Sequence, residues 1–182
     1  MRTYYTPLLV GLILGSNLSG CSPSQNWRDL TFEGSALKAQ LPCKPDRAKR
    51  PVPLGGVTIE LQVAGCESGT AMVAVMTAHM HTGADANAVL AGWQKATLDN
   101  ARVLQPLPAE QRQVWHRPGL LPLDSSSRIQ AKGMRADGQT VSLEAVWGAM
   151  AEGDRVRLVH AVVYDRQIQP DMANTLFDGL KP

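Results

Sequence analysis

Neither sign of charge dominates this sequence: 18 Lys and Arg stand against 16 Asp and Glu, a formal net charge of +2. So even a balance leaves no electrostatic footprint for nucleic acid, and a nucleic-acid partner is not expected. No apolar run approaches the roughly 20 residues that a helix needs to cross the hydrocarbon core of a membrane. The most apolar stretch, residues 4–15, is shorter and is interrupted by Pro7, Gly11 and Gly15, so a permanent transmembrane helix is not expected. No Gly-x-Ser-x-Gly elbow surrounds any serine, and no catalytic or cofactor motif stands out. The chain therefore reads as a non-enzyme that needs no cofactor. Cysteine is scarce, with three in the whole sequence. What the chain does have is 44% hydrophobic and 19% charged residues, the composition of a folded domain rather than a disordered one.

The amino-terminal segment carries the most specific signal. Arg2 supplies one positive charge, and residues 4–15 form an apolar core with Leu8, Leu9, Val10, Leu12, Ile13 and Leu14. The stretch ends in Leu18-Ser19-Gly20-Cys21, which resembles the lipobox of bacterial lipoproteins. That resemblance implies that residues 1–20 are a cleaved signal peptide and that Cys21 becomes the lipidated amino terminus, carrying diacylglycerol and palmitate-type acyl chains. With two or three chains, each buried methylene contributing about 0.8 kcal/mol, the membrane anchor is effectively permanent. Ser22 stands where an Asp would favour inner-membrane retention, so the resemblance implies an outer-membrane location facing the periplasm. Residues 21–29 are polar and turn-rich and read as a tether, leaving residues 30–182 as a single globular domain.

Within that domain, short β-like runs at residues 30–32 and 36–41 are followed by a proline-rich segment, 44–53, which reads as an irregular loop. Val57, Ile59, Leu61 and Val63 alternate with polar residues over 57–64, the period of a half-buried strand. A turn at Gly65 to Gly69 and a second apolar run over 71–79 make a hairpin. Helical spacing of Val89, Leu90, Trp93, Thr97 and Leu98 predicts a helix over 85–101, capped by Thr82 or Asp85. Residues 102–127 hold four prolines and read as an irregular wrap with a short strand at 113–116. Turn signals at Asp137-Gly138 and Glu152-Gly153-Asp154 divide 128–164 into a three-stranded meander, and Pro170 opens a final helix with Met172, Leu176, Phe177 and Leu180 on one face. The fold class is α+β: an antiparallel sheet with two amphipathic helices packed on it. The segment Leu37 to Pro45, a strand ending in a Pro-x-x-Pro-like turn before two strands and a helix, resembles the PsbP-like α/β/α sandwich. That superfamily consists mostly of non-enzymatic accessory proteins, which implies a binding role.

Candidate chemistry is thin. His79 and His81, two apart at a strand end, would leave one face and could begin a site in a metal-binding or metal-delivery module, or else be surface histidines. Met72, Met76 and Met80 on the opposite face could serve as soft ligands or as core filler. Ser125, Ser126 and Ser127, with Asp124, His116 and His160, supply the residue types of a small serine hydrolase but no elbow. Lys44, Arg47, Lys49 and Arg50 form a basic loop that could meet anionic headgroups or an acidic partner. Trp115, His116 and Arg117 combine types enriched at binding hot spots and are a candidate surface for an envelope protein partner. Once Cys21 is consumed, Cys43 and Cys66 remain, and an oxidising compartment predicts one disulfide between them. Each is expected just past the end of its strand. Residues 44–56 can extend about 40 Å, enough to return along a short strand so that the two run in the same direction.

Overall fold

The computed structural model of the protein describes residues 25–54, 56–80 and 85–182. Nine strands and two helices follow in chain order among these residues: β1 (Arg28–Thr31), β2 (Lys38–Leu41), β3 (Asp46–Leu54), β4 (Val57–Ser68), β5 (Ala71–His79), α1 (Ala86–Asn100), β6 (Arg112–Val114), β7 (Ser127–Met134), β8 (Thr140–Glu152), β9 (Arg155–Asp165) and α2 (Pro170–Asp178). The fold is α+β. Seven strands form one antiparallel sheet in the order β3-β4-β5-β9-β8-β7-β6, and β1 pairs with β2 in a separate hairpin.

Side-chain alternation sorts the central strands onto two cores. Along β8, Leu143, Ala145, Trp147 and Ala149 enter one core with Val89, Leu90, Trp93 and Leu98 of α1. Val146 and Met150, at the intervening positions, enter the other core with the β1–β2 hairpin and with Met172, Leu176 and Phe177 of α2. A strand covered on both faces has no water-facing side, so 141–151 is nearly continuous in apolar residues and lacks the clean alternation of β4. Asp85 caps α1 by accepting a hydrogen bond from the Asn87 backbone N–H at 2.9 Å, and Pro170 opens α2 where its missing N–H costs nothing.

Three expectations need correction. The segment read as an irregular loop is β3, a nine-residue edge strand fully in register with β4. Pro51 and Pro53 sit two apart, so one outward orientation accommodates both missing N–H groups, and Arg47, Lys49 and Arg50 with the prolines guard the edge against further pairing. Gly65 is not a turn residue either: β4 continues to Ser68, and the hairpin turns at Gly69-Thr70, where Gly69 has φ +63°. Gly65 instead lies between Asp46 and Ala74, and a Cβ there would stand 3.1 Å from the Val73 carbonyl oxygen. Finally, ordered packing begins before the end of the expected tether, since β1 starts at Arg28, Trp27 packs against the core and the Asn26 N–H donates to the Pro42 carbonyl at 2.9 Å.

Cys43 and Cys66 form a disulfide with Cα atoms 6.0 Å apart. Cys66 lies inside β4, not beyond its end, because β4 is four residues longer than its alternation suggests: the strand was expected over 57–64 and runs to Ser68. The return strand that fills the interval between the cysteines is β3, and β2 pairs with β1 rather than with any strand of the large sheet. The bond therefore joins the small hairpin to the large sheet.

Candidate functional site

The α2 side of the large sheet is incompletely covered. The hairpin and α2 pack over β5, β9 and part of β8, whereas Gln130, Lys132 and Met134, on the corresponding face of β7, stay exposed. The segment after α1, whose Val103 and Leu107 pack with the α1-side core, and the segment before α2 border this strip and leave a groove of about 950 Å³. Gln130, Lys132 and Ser142 form its floor with Arg166 beside them, and Leu104, Leu107, Ile168 and Pro170 form its sides. Leu104 is 88% exposed, unusual for a leucine with no covering element.

Glu144 also lines the groove, but its carboxylate is committed. It is 4% exposed and accepts from Arg128 Nε at 2.6 Å, while Arg128 donates its second contact to Asn174 Oδ1 at 2.8 Å and lies 5.1 Å over the Phe177 ring. One arginine thus neutralises the carboxylate and pins α2 to the sheet. Lys132 has no carboxylate partner among the described residues, and Arg166 bonds only to the neutral Gln139 side chain, at 3.3 Å, through its guanidinium. The groove therefore offers amides, apolar side chains and two cations, while the Ser142 hydroxyl donates to the Arg166 carbonyl and Asp165 stands beside Ser142 on the same face. Its residues come from four separated segments. Only the polar alternation of Arg128, Gln130 and Lys132 signalled an uncovered face in the sequence.

His79 lies in a different place, at the far end of β5, beside a buried ion pair. Arg157 is fully buried; its Nε donates to Glu152 Oε2 at 2.6 Å and its Nη2 to the Gly34 carbonyl at 2.6 Å and to His79 Nε2. Glu152 Oε1 also accepts from Ser35 Oγ and the Ala36 N–H, each at 2.8 Å. Burial alone would raise the Glu152 carboxyl, but these donors outweigh it and hold the group below its ordinary value. His79 Nε2 also lies 3.2 Å from the Gly34 carbonyl oxygen and 3.6 Å from Glu152 Oε2, so the ring nitrogen is enclosed in this polar cluster. His81 lies outside the described residues, and among those described no cluster of His, Cys, Asp and Glu could hold a metal. Met76 and Met80 pack into the core under α1 while Met72 is exposed, so the three thioethers do not converge.

Among the described residues no histidine hydrogen-bonds a hydroxyl of the serine run. Ser125 Oγ bonds Asn87 Oδ1 at 2.8 Å, while the Ser126 and Ser127 hydroxyls are buried without partners. Ser127 and His160 are both register partners of Trp147, so they stand two strands apart with the indole between them, roughly 10 Å at the strand spacing of a sheet. His160 is stacked on Trp147 with ring centroids at 4.5 Å, meets Trp93 edge-on at 5.1 Å, and donates from Nδ1 to the Val146 carbonyl at 3.0 Å. Burial drives its pKa down from 6.5 to about 4, only partly opposed by the Val146 carbonyl. The unfolded chain therefore binds a proton near pH 6.5 that the folded chain refuses until about pH 4, so stability falls as pH drops through that window. Urea titrations at pH 7 and pH 5 are expected to differ by about 2 kcal/mol from this group, and His160→Phe should remove that portion of the difference.

The candidate surface at Trp115, His116 and Arg117 does not form as one patch. Trp115 is 6% exposed and turned into the core against Gly148, where a Cβ would come 3.0 Å from the indole; His116 is exposed, and Arg117 pairs with Asp178 of α2. The basic residues of β3 are likewise partly used internally: Arg47 donates to the Thr31 carbonyl at 2.7 Å and Lys49 pairs with Glu33 at 2.6 Å, both holding the hairpin. Comparison of the chain with models of known protein families and with characterised proteins finds no match to either.

Proposed function

We propose that this protein is a lipid-anchored lipoprotein of the bacterial envelope, facing the periplasm, whose domain binds another envelope component without catalysis through the groove over β7 and β8. The observation that carries the reading is that groove, where a strip of the α2 side of β7 and β8 stays uncovered beside exposed apolar and polar side chains. The engagement of the Ser125 hydroxyl with Asn87 and the distance of Ser127 from His160 support a role other than hydrolysis. The helix-sheet-helix layering suits the resemblance to PsbP-like accessory proteins. A photo-crosslinking residue at Gln130, compared with one at Lys95 on the exposed side of α1, tests the site in cells. A specific adduct from position 130 alone is expected; equal or absent labelling at both positions would defeat the proposal.

Anchoring is tested separately. Growth with a palmitate analogue is expected to label the wild-type chain and to leave Cys21→Ser unlabelled, with the variant lost from the washed membrane fraction. A labelled Cys21→Ser chain would place the lipid elsewhere.

A further inference from the structure

We infer that the protein rests its sheet on the lipid surface that holds its anchor, through an apolar patch on the α1 side of β4, β5 and β9; the inference rests on the lipidation of Cys21 proposed above. α1 crosses its side of the sheet obliquely. It starts beside β3 and ends where the Ala101 carbonyl accepts from the Met134 N–H at the end of β7, so no described element covers the opposite corner. Register places Ala48, Val63, Met76, Ala74, Met72 and Tyr164 together in that corner, on the α1 side. None of the six is fully buried, and Met72 is 47% exposed. A contiguous apolar surface of this kind marks a contact with something other than water, and Tyr164, an apolar ring with a polar tip, suits the boundary between headgroups and acyl chains.

The place where the chain enters the domain says what lies against the patch. The Asn26 N–H donates to the Pro42 carbonyl, and the next residue, Cys43, is bonded to Cys66, which neighbours Gly65 in β4 and faces the α2 side. Three residues carry the chain from Cys43 into β3 at Asp46, so hairpin and sheet edge are close here. β3 pairs with β4 only as far as Gly65, which leaves the edge beside Cys66 and Glu67 without a further strand. The segment from Cys21 to Asn26 can extend about 18 Å, enough to pass this edge. Acyl chains on Cys21 thus hold a bilayer within reach of the patch, whatever else the domain binds. The surrounding charges balance, with Asp46, Glu67 and Asp165 against Lys44, Arg50 and Arg166, so the contact is apolar in origin and needs no anionic lipid. The groove over β7 and β8 opens on the other side of the sheet and stays free for a partner.

The full-length lipidated chain in phosphatidylcholine vesicles that carry a diazirine lipid tests the inference, with photoadducts mapped by mass spectrometry. Adducts are expected in β4, β5 and at Tyr164, and not around Lys95 on the exposed side of α1, with the same pattern at low and high salt. Met72→Glu should reduce the patch adducts severalfold and Met72→Leu should keep them, and because Met72 is exposed both variants should melt with the wild type. Adducts that appear only with anionic lipid and vanish in salt, that fall on α1 instead, or that ignore Met72→Glu would overturn the assignment. So would crosslinks from patch to patch between two chains without lipid adducts, since a second copy would then be the occupant. A chain that carries the palmitate label but gives no patch adducts would overturn this inference alone, whereas absence of the palmitate label would remove the anchoring reading and this inference with it.

Discussion

Glu152→Ala is expected to cost about 3 to 5 kcal/mol, because it removes the carboxylate from a fully buried guanidinium. For a chain of this size that corresponds to a fall in Tm of roughly 10 °C. The loss is larger than a surface ion pair would give, since Arg157 has 0% side-chain exposure and Glu152 12%, and neither can turn to water for compensation. Ser35 Oγ and the Ala36 N–H lose their acceptor at the same time, so the damage should concentrate in the turn of the β1–β2 hairpin. Hydrogen exchange should report it as lost protection in 34–41 before the central strands are affected. Adding Arg157→Met to Glu152→Ala should recover much of the loss, because the uncompensated charge then disappears. A double variant as unstable as the sum of the singles would show that the pair is not coupled. The carboxyl is held below its ordinary value, so its contribution is present above pH 4.5 and is lost as pH falls through the folded value, a window lower than that of His160.

The sequence disclosed the elements whose side chains have one consistent environment. Alternation in 57–63 marks β4, the spacing from Val89 to Leu98 marks α1, and turn pairs such as Asp137-Gly138 divide the carboxy-terminal meander. It concealed features that depend on a partner distant in the chain. Arg155 and Arg157 look alike in the sequence, yet one is exposed and the other fully buried, because only the second reaches Glu152 and the carbonyl of Gly34, 123 residues earlier. The prolines of β3 read as loop punctuation because a strand at the edge of a sheet obeys a different rule from one in its middle, and edge position is a property of the whole topology. Gly65 read as a turn for the same reason: a glycine that permits close approach between strands looks identical in sequence to one that permits a positive φ. The groove was hidden most completely. Its floor belongs to strands that were readable, but which strip of their face would stay uncovered follows from where the hairpin and α2 settle.

Replacing both Cys43 and Cys66 with alanine is expected to destabilise the domain by roughly 3 kcal/mol, from a sequence separation of 23 residues in the chain-entropy account of cross-links. The double substitution is the cleaner variant, since a single one would leave a half-exposed thiol free to pair between chains. Alkylation of denatured, unreduced protein checks the bond itself: neither residue should react, and two alkylated thiols would refute the pairing. The energetic consequence is also local. The bond anchors the loop after β2 near the C-terminal end of β4, while Glu152, Arg157 and Gln62 hold the turn before β2, so the hairpin is fastened at both ends of one strand. Loss of the bond should therefore lower protection across β1 and β2 by more than across β8 and β9. Combining the cysteine pair of substitutions with Glu152→Ala should cost less than the sum of the two, because both fastenings act on the same hairpin and the second cannot be lost once the hairpin has already detached. Strict additivity would mean that the two fastenings hold separate parts of the molecule.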